Sequence, residues 1–319
     1  MSSQQVHLTP GLAPQPLPTI TQLVGGTPLV RIRRLGANAP GVEIFAKLEY
    51  FNPGGSVKDR PALQMVLDAL ADGRLTAEKT LVDSTSGNTG VAYSWIGAAL
   101  GFSVALVMPA NVSLARKRIT TAYGAQIIYS DPMEGSDGAI RAVRRLVEAQ
   151  PGRYFYPDQY SNESNPRAHY LTTGEEIWKQ TRGLITHFVC GIGTGGTVMG
   201  TGRRLKDYRR DIQVIAVEPA EALHGLEGLK HMASSIVPPI YREEELDGKI
   251  SVGTDEGWEM ADRLLAEEGL LVGRSAGAAM VGALRTARRL VGEKKSGTIV
   301  TLFPDRGDRY FEPPRPRGP

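Results

Sequence analysis

Between Val42 and Phe303, short apolar runs end repeatedly in turns rich in glycine, serine and threonine, and most of these turns open a stretch with helical spacing. In GVEIFAKLEY, Val42, Ile44, Ala46 and Leu48 keep a period of two, which predicts a strand. Ala62, Leu63, Val66, Leu67 and Leu70 then keep helical spacing, with Ser56 available as an N-cap shortly before Pro61. TLVDS leads into a helix from about Val91, SVALVMP into one through Leu114 to Tyr123, and AQIIYS into one from about Asp137 to Ala149. Beyond the polar stretch PDQYSNESNPRAHY the alternation resumes with HFVC, IQVIAV, a helix over 256–268, LLVG, a helix over 277–291 and TIVTLF. Strands alternating with helices make parallel sheets covered on both faces, so the fold class is α/β. The break near 157–170 divides the chain into two α/β domains with a cleft between them. The smaller domain is expected over 45–165 and the larger over 19–44 plus 166–311, with loose, proline-bearing tails at 1–18 and 312–319.

Composition removes several classes of function. Hydrophobic residues at 41% and charged residues at 22% suit a folded chain of 319 residues rather than a disordered one. The formal charge is only +3, and basic clusters such as Arg116 to Arg118 and Arg203-Arg204 are interleaved with acids. Solvated faces account for them better than a nucleic-acid groove does. No apolar stretch approaches the ~20 uncharged residues of a membrane span. A single cysteine, Cys190, cannot form an intramolecular disulfide, and no leader pattern opens the chain, so a cytoplasmic location is expected. The five histidines lack metal-ligand spacing with each other or with Cys190, so no metal is expected.

Four strand-to-helix junctions carry residues suited to chemistry. CGIGTGGT contains G-x-G-x-x-G as Gly191, Gly193 and Gly196, and Glu218 ends the next apolar run where a dinucleotide site keeps its ribose acid. NAD is therefore one reading of this loop, while the lack of a following Lys-Ser or Lys-Thr excludes a nucleoside-triphosphate P-loop. In FNPGGSVKDR, Lys58 stands at a helix start, where the partial positive charge disfavours an ammonium and readies an amine for imine formation. A surface lysine paired with Asp59 or Glu49 is the plainer alternative. Thr85-Ser86-Gly87-Asn88-Thr89-Gly90 offers hydroxyls, an amide and N–H groups at another helix start, either a cup for a carboxylate or an ordinary capped turn. Gly273 to Ala279, around Ser275, is a fourth junction, or simply a small-residue helix packed closely on a sheet. Cys190 ends an apolar run without a histidine partner and reads as a small buried hydrophobe.

In order and spacing, GGSVKDR, TSGNTG and GTGGT together resemble the cysteine synthase family of pyridoxal-phosphate (PLP) enzymes, the group that includes cystathionine β-synthase and the O-acetylserine sulfhydrylases. The resemblance runs from about Thr21 to Tyr310 and implies the PLP fold type II, like the tryptophan synthase β chain. It implies that Lys58 holds PLP as a Schiff base and moves protons at the substrate Cα, and that Asn88 hydrogen-bonds the ring hydroxyl. Thr85, Ser86, Gly87, Thr89 and Gln159 would cradle the substrate carboxylate. Gly193, Thr194, Gly195, Gly196 and Thr197 would bind the cofactor phosphate, and Ser275 would face the pyridine nitrogen. A neutral hydroxyl there makes the ring a milder electron sink, which favours prompt loss of a β leaving group.

The implied reaction is a ping-pong β-replacement in which O-acetyl-L-serine loses acetate and sulfide, thiosulfate or another thiol adds to a bound aminoacrylate, giving L-cysteine. Condensation of serine with homocysteine and use of O-phosphoserine are the alternatives within the family. A homodimer is also implied, with the smaller domain closing over the substrate; a serine acetyltransferase or sulfur-carrier partner stays open. PDRGDRY, Pro304 to Tyr310, looks like the B-type cysteine synthases, while EYFNPGGSVKDR and GRSAG lean toward cystathionine β-synthase. Gly26 and Arg274 depart from the family pattern, and Lys230 falls where phosphoserine-using or B-type relatives place an arginine. A lysine is a poorer bidentate phosphate clamp. An NAD oxidoreductase would use only the glycine loop and Glu218, and a silent binding protein on the scaffold is the remaining class.

Overall fold

The computed structural model describes residues 18–310 except Ser86 and Ser113. Two sheets organise it. The first half of the chain runs β1 (Leu29–Ile32), β2 (Val42–Leu48), α1 (Asp59–Ala71), β3 (Thr80–Ser84), α2 (Asn88–Leu100), β4 (Val104–Pro109), α3 (Leu114–Ala122), β5 (Gln126–Ser130), α4 (Gly135–Ala149) and β6 (Tyr154–Phe155). The second half continues with α5 (Ser164–Leu171), α6 (Thr173–Gln180), β7 (His187–Gly191), α7 (Gly196–Tyr208), β8 (Gln213–Pro219), β9 (Gly248–Val252), α8 (Thr254–Glu268), α9 (Arg274–Gly292) and β10 (Gly297–Phe303). The larger sheet has six strands in the order β1-β2-β10-β7-β8-β9, and the smaller has four in the order β5-β4-β3-β6. Every pairing is parallel except that of β1 with β2, which runs from Leu29 opposite Lys47 to Ile32 opposite Ile44.

Alternation along the strands explains why both faces are covered. In β8, Ile215 and Val217 join the core shared with α8 and α9, whereas Val214 and Ala216 point to the other face, against Val198, Met199 and Leu205 of α7. In the smaller sheet Leu81, Leu106 and Met108 pack with α1 and α2, while Val82, Ala105 and Val107 pack with Ala139 and Val143 of α4. Each such fully buried aliphatic side chain contributes about 1.5–3 kcal/mol.

A buried charge network ties the end of β2 to α1 and α6. Arg60 meets Glu49 at 2.7 Å and Glu176 at 2.7 Å, and Lys47 reaches Glu176 at 2.6 Å. Glu49 is fully buried, and its loss would leave the Arg60 Nε without its carboxylate while Glu176 still holds the other end of the guanidinium.

Several expectations need correction. The boundary expected at 45 falls inside β2, which pairs with β10 along its whole length from Val42 to Leu48. LLVG is not a strand: Gly269, at φ +72°, ends α8, and Val272 makes only an isolated bridge to Arg306. Ser56 does not cap α1; Lys58 is the N-cap residue, and the Ser56 hydroxyl accepts its N–H at 3.2 Å. The polar stretch at 157–170 is helical from Ser164. Among the described residues no helix is long and apolar enough to cross a membrane.

Candidate active site

The carboxyl ends of β2, β3, β7 and β10 converge on one cleft of about 570 Å³, part of it open to solvent. Open α/β sheets bind ligands at such strand ends. Lys58, Asn88, Gly193, Gly195, Thr197 and Ser275 line the cleft together, although up to 217 residues separate them in the chain. The surface-lysine alternative for Lys58 fails here. Its side chain is half-buried, and desolvation holds the amine below its usual 10.5, outweighing the opposing pull of Cys190 and Asp305. Burial is thus the largest cause of the downward shift.

Asp59 does not pair with Lys58. Its carboxylate accepts the Trp95 indole N–H at 3.0 Å and the Gly54 N–H at 2.5 Å, and burial first of all pushes it up to about 6.

The glycine loop after β7 is a cradle built by close approach. A Cβ on Gly193 would stand 2.4 Å from the Gly228 carbonyl oxygen and 4.0 Å from the Lys58 Nζ. On Gly196 it would meet the Asn165 side-chain oxygen at 1.9 Å. Gly195, the N-cap of α7, has φ +89°, which suits glycine. The N–H groups of the first turn of α7 lack intrahelical partners, so this bare end is suited to an anion. Thr197 completes it, its hydroxyl 3.2 Å from the His169 Nε2, while the His169 Nδ1 meets the Thr173 hydroxyl at 2.9 Å. Burial, then Arg60, lowers His169 to about 3, so the imidazole is neutral and contributes no charge to the cradle.

Thr194 and Gly196 belong to the loop but do not line the cleft; the Thr194 hydroxyl accepts the Asn165 amide at 3.0 Å. The same Asn165 amide donates to the Gln159 carbonyl at 2.7 Å, linking the glycine loop to the residues expected at the carboxylate cup. Within that cup the Thr89 hydroxyl donates to the Gln159 side chain at 2.9 Å, and the Gly87 N–H reaches the Thr85 hydroxyl at 3.3 Å. Thr85, Gly87, Thr89 and Gln159 thus flank the cleft without being part of its lining, and Ser86 lies outside the described residues.

Residues that sequence reasoning passed over also belong to the site. Asp305, 1% exposed, lines the cleft and accepts the Asn88 amide at 2.7 Å. Cys190 lines it too, a buried thiol pushed up to about 12 by desolvation, which keeps it a neutral, inert wall. Of the family departures, Arg274 lies over the Trp258 ring at 3.1 Å and Lys230 over the Tyr160 ring at 5.0 Å. Glu218 receives the Met232 N–H at 3.3 Å and pairs with Lys249 at 3.3 Å, a role inside the fold.

A family profile described as "Pyridoxal-phosphate dependent enzyme" matches residues 20–305. The chain belongs to the pyridoxal-phosphate dependent enzyme family. It is 55% identical to a cysteine synthase of Aquifex aeolicus over 295 residues, covering 92% of this chain and 90% of that one. Its fold superposes on the crystal structure of a cysteine synthase from Entamoeba histolytica with a TM-score of 0.88 at 36% identity, over 96% of this chain and 92% of the other. An O-acetylserine dependent cystathionine β-synthase from Helicobacter pylori gives a TM-score of 0.85 at 35% identity, over 93% and 98% of the two chains. The α/β fold with its two sheets is therefore that of PLP fold type II, and the chain is a PLP-dependent enzyme.

The residues present fit the cofactor. Its phosphate suits the helix start, where Gly193 and Gly196 leave no room for a Cβ, and its aldehyde suits a lysine amine whose pKa burial lowers.

Proposed function

We propose that this enzyme forms L-cysteine from O-acetyl-L-serine and sulfide, with pyridoxal 5'-phosphate held through Lys58. The observation that supports the assignment of residues is the convergence of Lys58, Asn88, Gly193, Gly195, Thr197 and Ser275 on one cleft. Bound there, PLP supplies an electron sink for chemistry at the substrate Cα and Cβ. The first turn of α7 and the Thr197 hydroxyl would hold the phosphate, the Asn88 amide would donate to the ring hydroxyl, and the Ser275 hydroxyl would bond the ring nitrogen. Thr85, Ser86, Gly87, Thr89 and Gln159 would hold the substrate carboxylate and so orient the substrate for proton transfer by Lys58. Lys58, its amine depressed by burial, takes the Cα proton and later returns it. The apolar wall formed by Cys190 and Leu229 limits water in the cleft.

The protein acts in this reading as a cytoplasmic homodimer, with the smaller sheet and its helices closing on the larger. The sulfur acceptor is the point on which relatives divide. The Helicobacter pylori neighbour is described as an O-acetylserine dependent cystathionine β-synthase, so the same amino-acid donor serves two thiols in this fold. The tests are direct. The purified protein should be yellow, borohydride should bleach it, and Lys58→Ala should remove the visible band; a colourless protein that takes up NAD instead would sink the assignment. Turnover of O-acetylserine with sulfide should exceed that with homocysteine, and the reverse ranking would make cysteine synthase the wrong activity.

A further inference from the structure

Pro304 to Tyr310, the PDRGDRY segment that follows β10, touches the three loops that carry Lys58, Asn88 and Ser275 to the cleft. The Pro304 carbonyl accepts the Val57 N–H at 2.8 Å, next to Lys58, and the Asp305 carbonyl accepts the Gly273 N–H at 3.1 Å, just before α9 and Ser275. Asp305 also bridges to Ser56, and the Arg309 guanidinium donates to the Gly54 carbonyl. The contacts with Asn88 are the most pointed. Asp305 Oδ2 accepts the Asn88 Nδ2 at 2.7 Å, Arg309 Nη1 donates to the Asn88 Oδ1, and the Tyr310 hydroxyl donates to the same Asp305 oxygen.

An asparagine amide has two ends of nearly the same shape, and its neighbours decide which end donates. Here they decide it twice. Turning the Asn88 amide over would set its oxygen against the Asp305 carboxylate and its NH2 group against the Arg309 guanidinium, exchanging two charge-assisted hydrogen bonds for two repulsions. Asp305 occupies only one of the two Nδ2 hydrogens. We propose that Asp305 and Arg309 are positioning residues that lock the Asn88 amide in one orientation, with its remaining N–H as the donor presented to the cofactor in the cleft.

The inference rests on the reading in which Asn88 meets the ring hydroxyl. A donor at that oxygen favours its anionic form, so loss of the donor raises the pH at which the visible absorption of the bound cofactor changes. The experiment is a pH titration of that absorption in holoenzyme carrying Asn88→Ala, Asp305→Asn, Arg309→Met, Arg309→Lys, or Asn88→Ala combined with Asp305→Asn. Arg309→Met should move the transition upward by about one unit, a tenfold change in proton affinity, and Asp305→Asn should move it upward by less, because it also withdraws the carboxylate's pull on the Lys58 amine. Arg309→Lys should recover part of the shift, and once Asn88 is alanine Asp305→Asn should add no upward shift, only the downward effect of the lost charge.

Using Arg309 as well as Asp305 tests the lock from both ends of the amide, so one variant that fails to fold does not end the test. A tail variant whose shift persists undiminished in the Asn88→Ala background overturns the inference, as does an unmoved transition in both tail variants while Asn88→Ala shifts. If Asn88→Ala itself leaves the absorption unmoved, the lock falls together with the assignment of Asn88 to the ring hydroxyl, a failure of the proposed site rather than of the tail.

Discussion

The loops after β7 and β3 are built to the same plan, a parallel strand ending in small residues that open a helix, yet they are held to different degrees. Around the first, every close approach is taken: Gly193 by Gly228, Gly195 by Tyr241, Gly196 by Asn165, and Thr197 by His169. Around the second the grip is uneven: Asn88 is held by Asp305 and Arg309 and a Cβ on Gly90 would meet Leu106 at 3.1 Å, but a Cβ on Gly87 would meet nothing within 4 Å, and the Thr89 hydroxyl bonds Gln159. A phosphate is the same in every turnover, so a rigid cradle costs nothing in versatility. A carboxylate that arrives with each substrate and leaves with each product is better met by a loop with room around it. On the proposed assignment, the packing would sort the two loops by the residence time of their guests.

Gly196→Ala against Gly87→Ala should show the largest contrast. The added methyl at 196 must displace Asn165, from a starting separation of 1.9 Å. Overpacking of this kind costs about 1–3 kcal/mol, so affinity for PLP, followed by the visible band as apoprotein is titrated, should fall by roughly tenfold or more. At 87 the backbone has φ −104° and open space, so stability and PLP affinity should stay within about 0.5 kcal/mol of the parent. Equal losses at both positions would erase the distinction between the loops.

A finer contrast deletes one hydroxyl from each. Thr197→Val should weaken PLP by about 1.5–3 kcal/mol, the range for a hydrogen bond to a charged group, and leave the amino-acid KM of the loaded enzyme near its parent value. Thr89→Val should do the opposite, raising KM for O-acetylserine by roughly tenfold with PLP affinity unchanged, and Thr89→Ser should restore it. If Thr89→Val also releases the cofactor, Thr89 serves the cofactor, as Asn88 does, rather than the substrate.

The loops themselves were readable because each marks a change from a short apolar run to a stretch of helical spacing, and local chemistry at such a junction needs no tertiary information. Their supports were not. Asn165 lies 29 residues from Thr194 and Asp305 lies 217 from Asn88, so nothing in the neighbouring sequence announces either pairing. His169 sat in a polar stretch that reads as irregular, because α5 is short and buries only part of one face. Strand β6 is two residues long, and β1 and β9 lie at the edges of the larger sheet, too short or too exposed to display a period. LLVG failed the other way. Its leucines follow the left-handed Gly269, and the Gly273 N–H is committed to Asp305, so the run turns back toward the tail instead of joining a ladder.

The strands beneath the loops differ as well, and this gives the smallest expected effect. Strand β7 ends on Cys190 and Gly191, and the Cys190 thiol, pushed up to about 12, stays protonated between about pH 4 and 7 in both the folded and the unfolded chain. Strand β3 ends on Asp83 and Ser84, and burial, with Asp158 adding to it, pushes the Asp83 carboxyl up to about 7 from 3.8. Between those two values the folded chain holds a proton that the unfolded chain has released, so stability is fully present below about 4 and declines as pH rises to about 7. Asp83→Asn removes this decline, which is on the order of a few kcal/mol. Its melting temperature should therefore gain on the parent's by several degrees across that window and stay level above it, while Cys190→Ala should keep the parent's slope. A parallel offset of Asp83→Asn at every pH would mean that Asp83 is ionised throughout, and that the end of β3 is as indifferent to protons as the end of β7.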